Sequence, residues 1–480
     1  MSRSNPDVSQ RTNSSAGFSP ELLIHLNRSQ RVVREQLAQQ LRAMIRDGRL
    51  PAGARLPPTR VMARDLDVAR SVVVDAYQQL IADGYLSARQ GSGTRVLPVS
   101  SDRPAVDSRS AEVTSAIVLF AGLPDPALFP RAEWLRHYRT ALQALPDGRL
   151  GYPGPAGVQE LRDALADYLS RVRGVAAAPE NILVCSGITQ AITLICRALH
   201  ARGVRTIAME DPGFGLHRQA IINAGLNVTG VPVDDDGLHV NALDSLDVGA
   251  LLTAPAHSYP TGAVLSTPRR TALLRWARQR NMVIIEDDYD AEFRYDSAPL
   301  GALQGLAPEH VVYTGCVSKT LTPALRLGWM VLPRWLTGAV VHQKLLDDTG
   351  NSVLEQRALA RFIETGGLTR HLRRVRPIYR HRRDAAVQAT ATALPGAAVK
   401  GIDAGLHLYV ELPQWCDEAD LLTAARERGI VIEGASWHFH SPAVAPPALI
   451  IGYGSTTEAT VGDALTRLGE VYGSARAGSV

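Results

Sequence analysis

Residues 310–333, HVVYTGCVSKTLTPALRLGWMVLP, carry the reading of the fold. The apolar run Val311, Val312, Tyr313 reads as a strand, and a small polar loop holding Lys319 follows it. A second apolar run, Leu325 to Leu332, has Arg326 embedded in it. Lysine is otherwise scarce: of 51 basic residues, only Lys319, Lys344 and Lys400 are lysines. Arginine stays protonated at any working pH, whereas lysine can shed its proton and act as a nucleophilic amine. Lys344 and Lys400 read as surface residues, while Lys319, set between two apolar runs, reads as functional.

Working outward, β-like runs alternate with helical stripes on the N-terminal side of this stretch. Asn181–Val184 precedes the helix Thr189–Leu199, and Thr206–Met209 precedes Leu216–Ala224. Gly249–Thr253 precedes Arg270–Arg278, and Met282–Ile285 leads on to the lysine strand. Such alternation predicts an α/β fold, a mostly parallel sheet with crossover helices, with ligands off the carboxyl ends of its strands.

Polar motifs fall at those ends. Cys185-Ser186-Gly187-Ile188-Thr189-Gln190 joins a strand to a helix. Its backbone amides and the hydroxyls of Ser186 and Thr189 suit a phosphate, although an ordinary capped helix has the same pattern. EDPGF, ending at Phe214, puts an aromatic ring beside a strand end, or serves as a tight turn. TAPAHSYPTG, residues 253–262, holds His257 and Tyr259. NMVIIEDDYDAEFRY sets Glu286, Asp287 and Asp288 directly after an apolar strand, where three acids need a cation, a metal or solvent. A charge partner for a protonated ring nitrogen is a further reading. Ser318, Lys319 and Arg326 can converge on one anionic cofactor. A phosphate cradle, an acid, an aromatic plate and a single amine are the parts needed to hold pyridoxal 5'-phosphate, with the amine as Schiff-base former. No metal site is expected.

The chain's 480 residues set an expectation of about two to four domains. A hydrophobic content of 45% and a charged content of 20% are ordinary for a globular protein. No run approaches the ~18 uncharged apolar residues of a membrane-spanning helix. Residues 1–22 lack the apolar core of a secretory signal and read as a disordered polar tail. The cysteines Cys185, Cys196, Cys316 and Cys416 form no CxxC pair, which suits a reduced, cytoplasmic chain.

Charge is unevenly spread. Residues 1–100 hold 14 Arg, no Lys and 8 Asp or Glu, a net +6 against +4 for the chain, which leaves the other 380 residues at −2. A basic front on a near-neutral body points to a polyanion partner for that segment. From Ser29 to Asp47, Val32, Val33, Leu37, Leu41, Met44 and Ile45 follow a helical stripe. RLPAGARLPPTR marks a turn whose Thr59 can cap a second helix, and Asp67-Val68-Ala69 separates that helix from a third running from Arg70 through Leu80. YLSARQGSGTRV, residues 85–96, reads as a hairpin. Arg70 and Ser71 can enter a major groove, with Arg60 and Arg64 near the backbone, while Arg89, Gly91, Gly93, Thr94 and Arg95 form a wing. Residues 98–116, rich in Ser, Asp and Pro, read as a linker.

GRLPAGARLPPTRVMARDLDVARSVVVDAYQQLIADGYLSARQGSGTRV resembles the winged helix-turn-helix of the GntR superfamily along its whole length. Its landmarks are G-x-R-LP-x-x-R, A-Y-x-x-L and the closing G-Y-L…R-x-GSGT-x-V. From residue 117 onward the order of motifs resembles the fold-type I aminotransferases, whose domain implies a small C-terminal α/β subdomain. Leu150-Gly151-Tyr152, HLRRVRPIYRHRR from His371 and AGLHL from Ala404 agree with it. Together the two parts resemble the MocR/GabR family of regulators. The implied layout is a tail over 1–22, a DNA-binding domain over 23–97, a linker over 98–116 and a cofactor-binding domain over 117–480.

The resemblance implies that Lys319 forms the Schiff base with pyridoxal phosphate and that Asp287, among three adjacent acids, partners the pyridine nitrogen. It places Tyr289 near the phenolic oxygen, Phe214 on the ring, and Ser186, Gly187, Ile188, Ser318 and Arg326 around the phosphate. His257 and Tyr259 complete the set, and Tyr152 would reach the phosphate of a neighbouring subunit in a head-to-tail homodimer. Two departures stand out. Tyr259 occupies the place of the asparagine that aminotransferases put before Pro-Thr-Gly, and Ile450 falls where they carry an arginine that grips the substrate carboxylate. Losing that bidentate pair forfeits about 3 kcal/mol, roughly a hundredfold in binding.

The resulting expectation is a transcriptional regulator that binds double-stranded promoter DNA. Pyridoxal phosphate, as effector or together with a small amine, would control genes of vitamin B6 or amino-compound metabolism. The alternative is a working aminotransferase with an accessory DNA-binding domain; a cofactor-free scaffold would make five agreeing motifs coincidental. γ-Aminobutyrate, taurine and a D-amino compound stay open as effectors.

Overall fold

The computed structural model describes residues 26, 33–47, 49–89, 93–98, 116–295 and 300–478, and the chain divides into two units between Glu112 and Val113. The expected tail, most of the expected linker and Gly91 of the expected wing lie outside the described residues.

The first unit is three helices and a hairpin: Val33–Arg46, Thr59–Asp65, Arg70–Ala82, and the antiparallel strands Leu86–Arg89 and Gly93–Val96. The apolar stripe read from the sequence is its core, with Leu37, Leu41, Val73, Ala76, Leu80 and Leu86 almost fully buried. Tyr77 ties the third helix to the preceding turn by donating to Pro57 O (3.0 Å). One expectation is corrected. Thr59 is the first residue of its helix rather than its cap, because Pro58 takes the capping position and no side chain caps that end. Having no N–H, proline suits a helix start whose amides are unsatisfied in any case.

The second unit is built on an eight-stranded sheet in the order Ile182–Cys185, Gly328–Val331, Val311–Cys316, Val283–Asp288, Ala250–Thr253, Thr206–Asp211, Asn227–Asp234, Gly237–Leu238. The strands from Val311–Cys316 to Asn227–Asp234 run parallel, and Gly328–Val331 is antiparallel to both its neighbours. Helices Ile188–Ala201 and Thr267–Arg280 lie on separate cores containing Ile192 and Leu273, so the inner strands are buried on both faces. That double burial is why their sequences are continuous apolar runs rather than alternating ones. The helices Ile188–Ala201 and Thr267–Arg280 extend the predicted ones by one to three residues at each end, and Gly215–Asn223 is shifted by one residue towards the N-terminus, as terminal turns allow.

A smaller four-stranded antiparallel sheet joins Ala398–Lys400, His407–Glu411, Ala448–Gly452 and Glu433–Gly434, packed against the helices Gly367–Ala393, Glu418–Glu427 and Glu458–Gly478. This is the C-terminal subdomain the resemblance implies. Among the described residues no helix is long and apolar enough to cross a membrane.

Lys344 is a second correction. It is fully buried rather than exposed, pairing with Asp348 (2.5 Å) and donating to Gln190 Oε1 (3.3 Å). Lys400 is partly exposed and lies 3.4 Å from Glu411.

Candidate functional site

The carboxyl ends of the sheet strands open into a cavity of about 320 Å³ whose walls include Gly187, Ile188, Thr189, Phe214, Tyr259, Asp287, Tyr289, Ser318, Lys319 and Arg326. The structure thus brings together most of the residues singled out from the sequence. Lys319 follows the strand Val311–Cys316, and Arg326 follows the short 3-10 turn Pro323–Leu325. Arg326 has φ +50°, a left-handed backbone that is uncommon outside glycine. Neither cation has an ion-pair partner among the described residues.

Close backbone approach shapes the anion end. Gly187 has φ +117°, and a Cβ on Gly328 would come within 2.8 Å of its Cα. The two glycines let the strand Gly328–Val331, which starts two residues after Arg326, press against the start of the helix Ile188–Ala201, whose first amides have no partner within the helix. Free amides, the helix dipole and a guanidinium converge there, an arrangement for phosphate. Ser186 takes a different place. Its Oγ accepts from Asn351 Nδ2 (2.8 Å) and it lines an adjoining recess with Asn351 and Arg326 rather than the main cavity.

The three adjacent acids separate by role. Glu286 accepts from the backbone amides of Leu303 (2.8 Å) and Gln304 (3.0 Å). Asp288 takes two bonds from Arg173 (2.8 and 3.1 Å) and one from Tyr313 (2.7 Å). Asp287, between them on the opposite strand face, points into the cavity, and its Oδ1 is buried without a partner. Its other oxygen lies 3.5 Å from His217 Nδ1. Burial, reinforced by Asp288, Asp290 and Glu210, pushes the Asp287 carboxyl well above the usual carboxylate range, while Lys319 opposes that shift. Burial first, and Lys319 second, holds the His217 imidazole down at about 3. An orphaned carboxylate oxygen in such a site calls for a cationic N–H. Among the described residues no group of His, Cys, Asp and Glu could hold a metal, so the metal reading of this acidic run has no support there.

Tyr289 lines the cavity, and its hydroxyl lies 3.0 Å from His257 Nδ1, which in turn lies 3.0 and 3.1 Å from Asp290. His257 itself is buried outside the cavity, so it orients Tyr289 rather than touching a ligand. Phe214 meets Tyr259 and His217 edge to face, with centroids 5.1 and 4.8 Å apart. Tyr152 is 93% exposed and is not part of this cavity. Ile450 is fully buried in the small sheet beside Tyr409 and Ala435, with Tyr259 packed against them.

Sequence reasoning missed Gly122, His217, Glu433 and Trp437, all of which line or crowd the cavity. His217, three residues beyond Phe214 on the same helix, could have been found from helical spacing; the other three come from distant segments with no motif of their own.

On the first unit, Arg60, Arg64, Arg70, Ser71 and Arg95 are all exposed, with Arg70 and Ser71 opening the third helix. Gly93 and Thr94 are half-buried in the hairpin to which Arg89 also belongs. Arg95 donates to Gly53 O (3.0 Å), which fixes part of its side chain on the domain surface.

The chain matches the model of aminotransferase class I and II over residues 131–468 and that of the bacterial regulatory proteins of the gntR family over residues 33–96. It is 33% identical to the HTH-type pyridoxine biosynthesis transcriptional regulator PdxR of Corynebacterium glutamicum, over 89% of this chain and 93% of that protein. It is 31% identical to the probable rhizopine catabolism regulatory protein MocR of Rhizobium meliloti, over 91% and 93%. Among solved structures, an archaeal alanine:glyoxylate aminotransferase superposes with a TM-score of 0.70 at 26% identity, covering 75% of this chain and 91% of that one. The kynurenine aminotransferase of Pyrococcus horikoshii also gives 0.70, at 25% identity, over 76% and 93%. The chain therefore belongs to the aminotransferase class I and II family and, within it, to the MocR/GabR family of transcriptional regulators, which join that domain to a gntR-type DNA-binding module.

Proposed function

We propose that this regulator senses pyridoxal phosphate, alone or condensed with a small amine, in the cavity around Lys319, and that occupancy of the cavity sets its affinity for promoter DNA. The observation that carries the reading is the unpartnered Asp287 Oδ1, buried in the same cavity as two cations without ion-pair partners, Lys319 and Arg326. Bound there, pyridoxal phosphate supplies an aldehyde that condenses with primary amines and a ring that acts as an electron sink. The chain's part is to hold it. Lys319 supplies the attaching amine, and Arg326 and the amides at Gly187, Ile188 and Thr189 take the phosphate. Asp287 receives the ring N–H, Phe214 covers the ring, and Tyr289, steadied by His257, faces the phenolic oxygen.

Ile450 stands where aminotransferases grip a substrate carboxylate, which favours sensing over physiological turnover. The kynurenine aminotransferase above was solved with PMP, and the Corynebacterium relative is named for pyridoxine biosynthesis. Vitamin B6 genes are accordingly the proposed targets. A head-to-tail homodimer accounts for the exposed Tyr152, which would reach the phosphate held by a second copy.

The test is a pyridoxal phosphate titration of the full chain, read by visible absorbance and by a footprint on DNA upstream of its own gene. Lys319→Ala is expected to abolish the absorbance of the lysine-bound cofactor and the cofactor dependence of the footprint while the protein stays folded. An unchanged spectrum in that variant would remove Lys319 from the role.

A further inference from the structure

Four charged side chains line the cavity among the described residues: Asp287, Lys319, Arg326 and Glu433. The first three have roles in holding the cofactor, and Glu433 has none. It sits on the short strand Glu433–Gly434, paired directly with Ile450 in the antiparallel ladder, so both side chains emerge on one face of the small sheet. A carboxylate therefore stands beside the position from which the carboxylate-gripping arginine is missing.

Its surroundings fix it without neutralising it. Glu433 Oε1 lies 2.9 Å from His438 Nε2. The amide of Gly215 donates to His438 Nδ1 (3.2 Å), so the ring proton is on Nε2 and is donated to Glu433. Glu433 Oε2 accepts from the Tyr259 hydroxyl (3.3 Å). Both donors are uncharged, and no Lys or Arg of the described residues pairs with Glu433. Arg218 spends its guanidinium on the carbonyl oxygens of His438 (3.1 Å) and Trp437 (2.5 Å). Phe214, Tyr259 and Trp437 add aromatic walls to the same cavity. A held but uncompensated carboxylate among aromatic rings is a receptor for an ammonium group, through charge and cation–π attraction, and it repels an anion.

Resting on the reading of the cavity as the cofactor site, we infer that the amine sensed here carries a second cationic end, and that Glu433 is the residue selecting it. The effector class is a short aliphatic diamine, with one amine for the cofactor and the other for Glu433. An ω-amino acid of equal length would face a carboxylate with its own carboxylate, and Ile450 offers it no guanidinium.

The experiment uses the full chain loaded with pyridoxal phosphate, titrated with 1,4-diaminobutane, 1,5-diaminopentane, 4-aminobutyrate and 5-aminopentanoate, and read as the change in visible absorbance. The diamines are expected to bind at least about tenfold more tightly than the amino acids of matching length. Glu433→Gln is expected to bring that ratio close to one, while Glu433→Asp keeps it above one. Amino acids binding as tightly as diamines, or a ratio untouched by Glu433→Gln, would overturn the inference and leave the cofactor reading standing. If Glu433→Gln does not fold, the ratio in the unmodified chain and in Glu433→Asp decides. Absence of any cofactor absorbance in the unmodified chain would sink the cofactor reading, and this inference with it.

Discussion

Gly122 crosses Lys319 so closely that a Cβ at that glycine would lie 2.7 Å from the lysine Nζ. The backbone there has φ +69°, which costs a residue with a side chain about 1–2 kcal/mol before any clash is counted. The segment Ala121–Gly122 thus forms a wall against the Lys319 amine, and a methyl group on that wall would displace the end of the lysine side chain. Gly122→Ala is expected to turn Lys319 away from its working position and to weaken cofactor attachment by at least about tenfold. Thermal unfolding would change far less than the absorbance titration; equal cofactor affinity in the variant would mean that the loop gives way at no cost.

Adjacent carboxylates should respond in opposite ways. Asp287→Asn leaves no buried cation stranded, so the fold is expected to survive while cofactor affinity falls. Asp288→Asn strips the counter-charge from Arg173, which is almost fully buried and donates two hydrogen bonds to that acid. Breaking such a pair costs about 3–5 kcal/mol. The expected result is a folded, cofactor-poor Asp287→Asn and an unstable Asp288→Asn, read by denaturant midpoints beside absorbance.

This contrast shows where sequence reading stops. The apolar run Met282–Ile285 marks the strand in the sequence, with the acids expected just beyond it, whereas the strand runs from Val283 through the acids to Asp288, and its one-residue alternation separates Asp287 from its two neighbours. Which side faces a ligand depends on Arg173, 115 residues away from Asp288, and no local pattern records that contact. Lys344 was misread for the same reason, since its burial is set by helix packing beside Gln190, 154 residues away. Lys319 and Arg326 were legible because one loop carries both. Glu433 was not, because only the ladder with Ile450 brings it to the cavity.

Protonation of His407 gives a pH dependence with a definite sign. It is buried in the small sheet with Nε2 3.1 Å from Pro260 O, and burial, followed by the nearby His257, holds it down at about 3 from an ordinary 6.5. The folded state therefore resists a proton that the unfolded chain accepts. The contribution of this residue to stability is fully present above 6.5 and is lost as pH falls towards 3, by about 1.4 kcal/mol per pH unit. Glu286, pushed up to about 7 mainly by burial, acts in the opposite sense, but it is common to both proteins in a comparison with His407→Gln. Between about pH 7.5 and 5.5, the unmodified chain should lose roughly 1.4 kcal/mol more than the variant, measured by urea midpoints. Equal losses would mean that the folded state accepts the proton at this ring after all.

On the DNA-binding unit, position sets different expectations for two of the exposed arginines. Arg70 is exposed at the first turn of the helix Arg70–Ala82, the end that a helix-turn-helix presents to base edges. Arg64 is exposed near the end of the preceding helix and 3.5 Å from Asp65, and it is the one expected to meet phosphate. Arg64→Ala should weaken binding to specific and random duplexes alike and lower the slope of log K against log salt by about 0.9. Arg70→Ala should instead cut the ratio of specific to random binding by about 1–3 kcal/mol. Fluorescence anisotropy of the full chain on both duplexes at several salt concentrations separates the two outcomes. If the two variants exchanged these signatures, Arg64 would be the base reader and the helix would enter the groove the other way round.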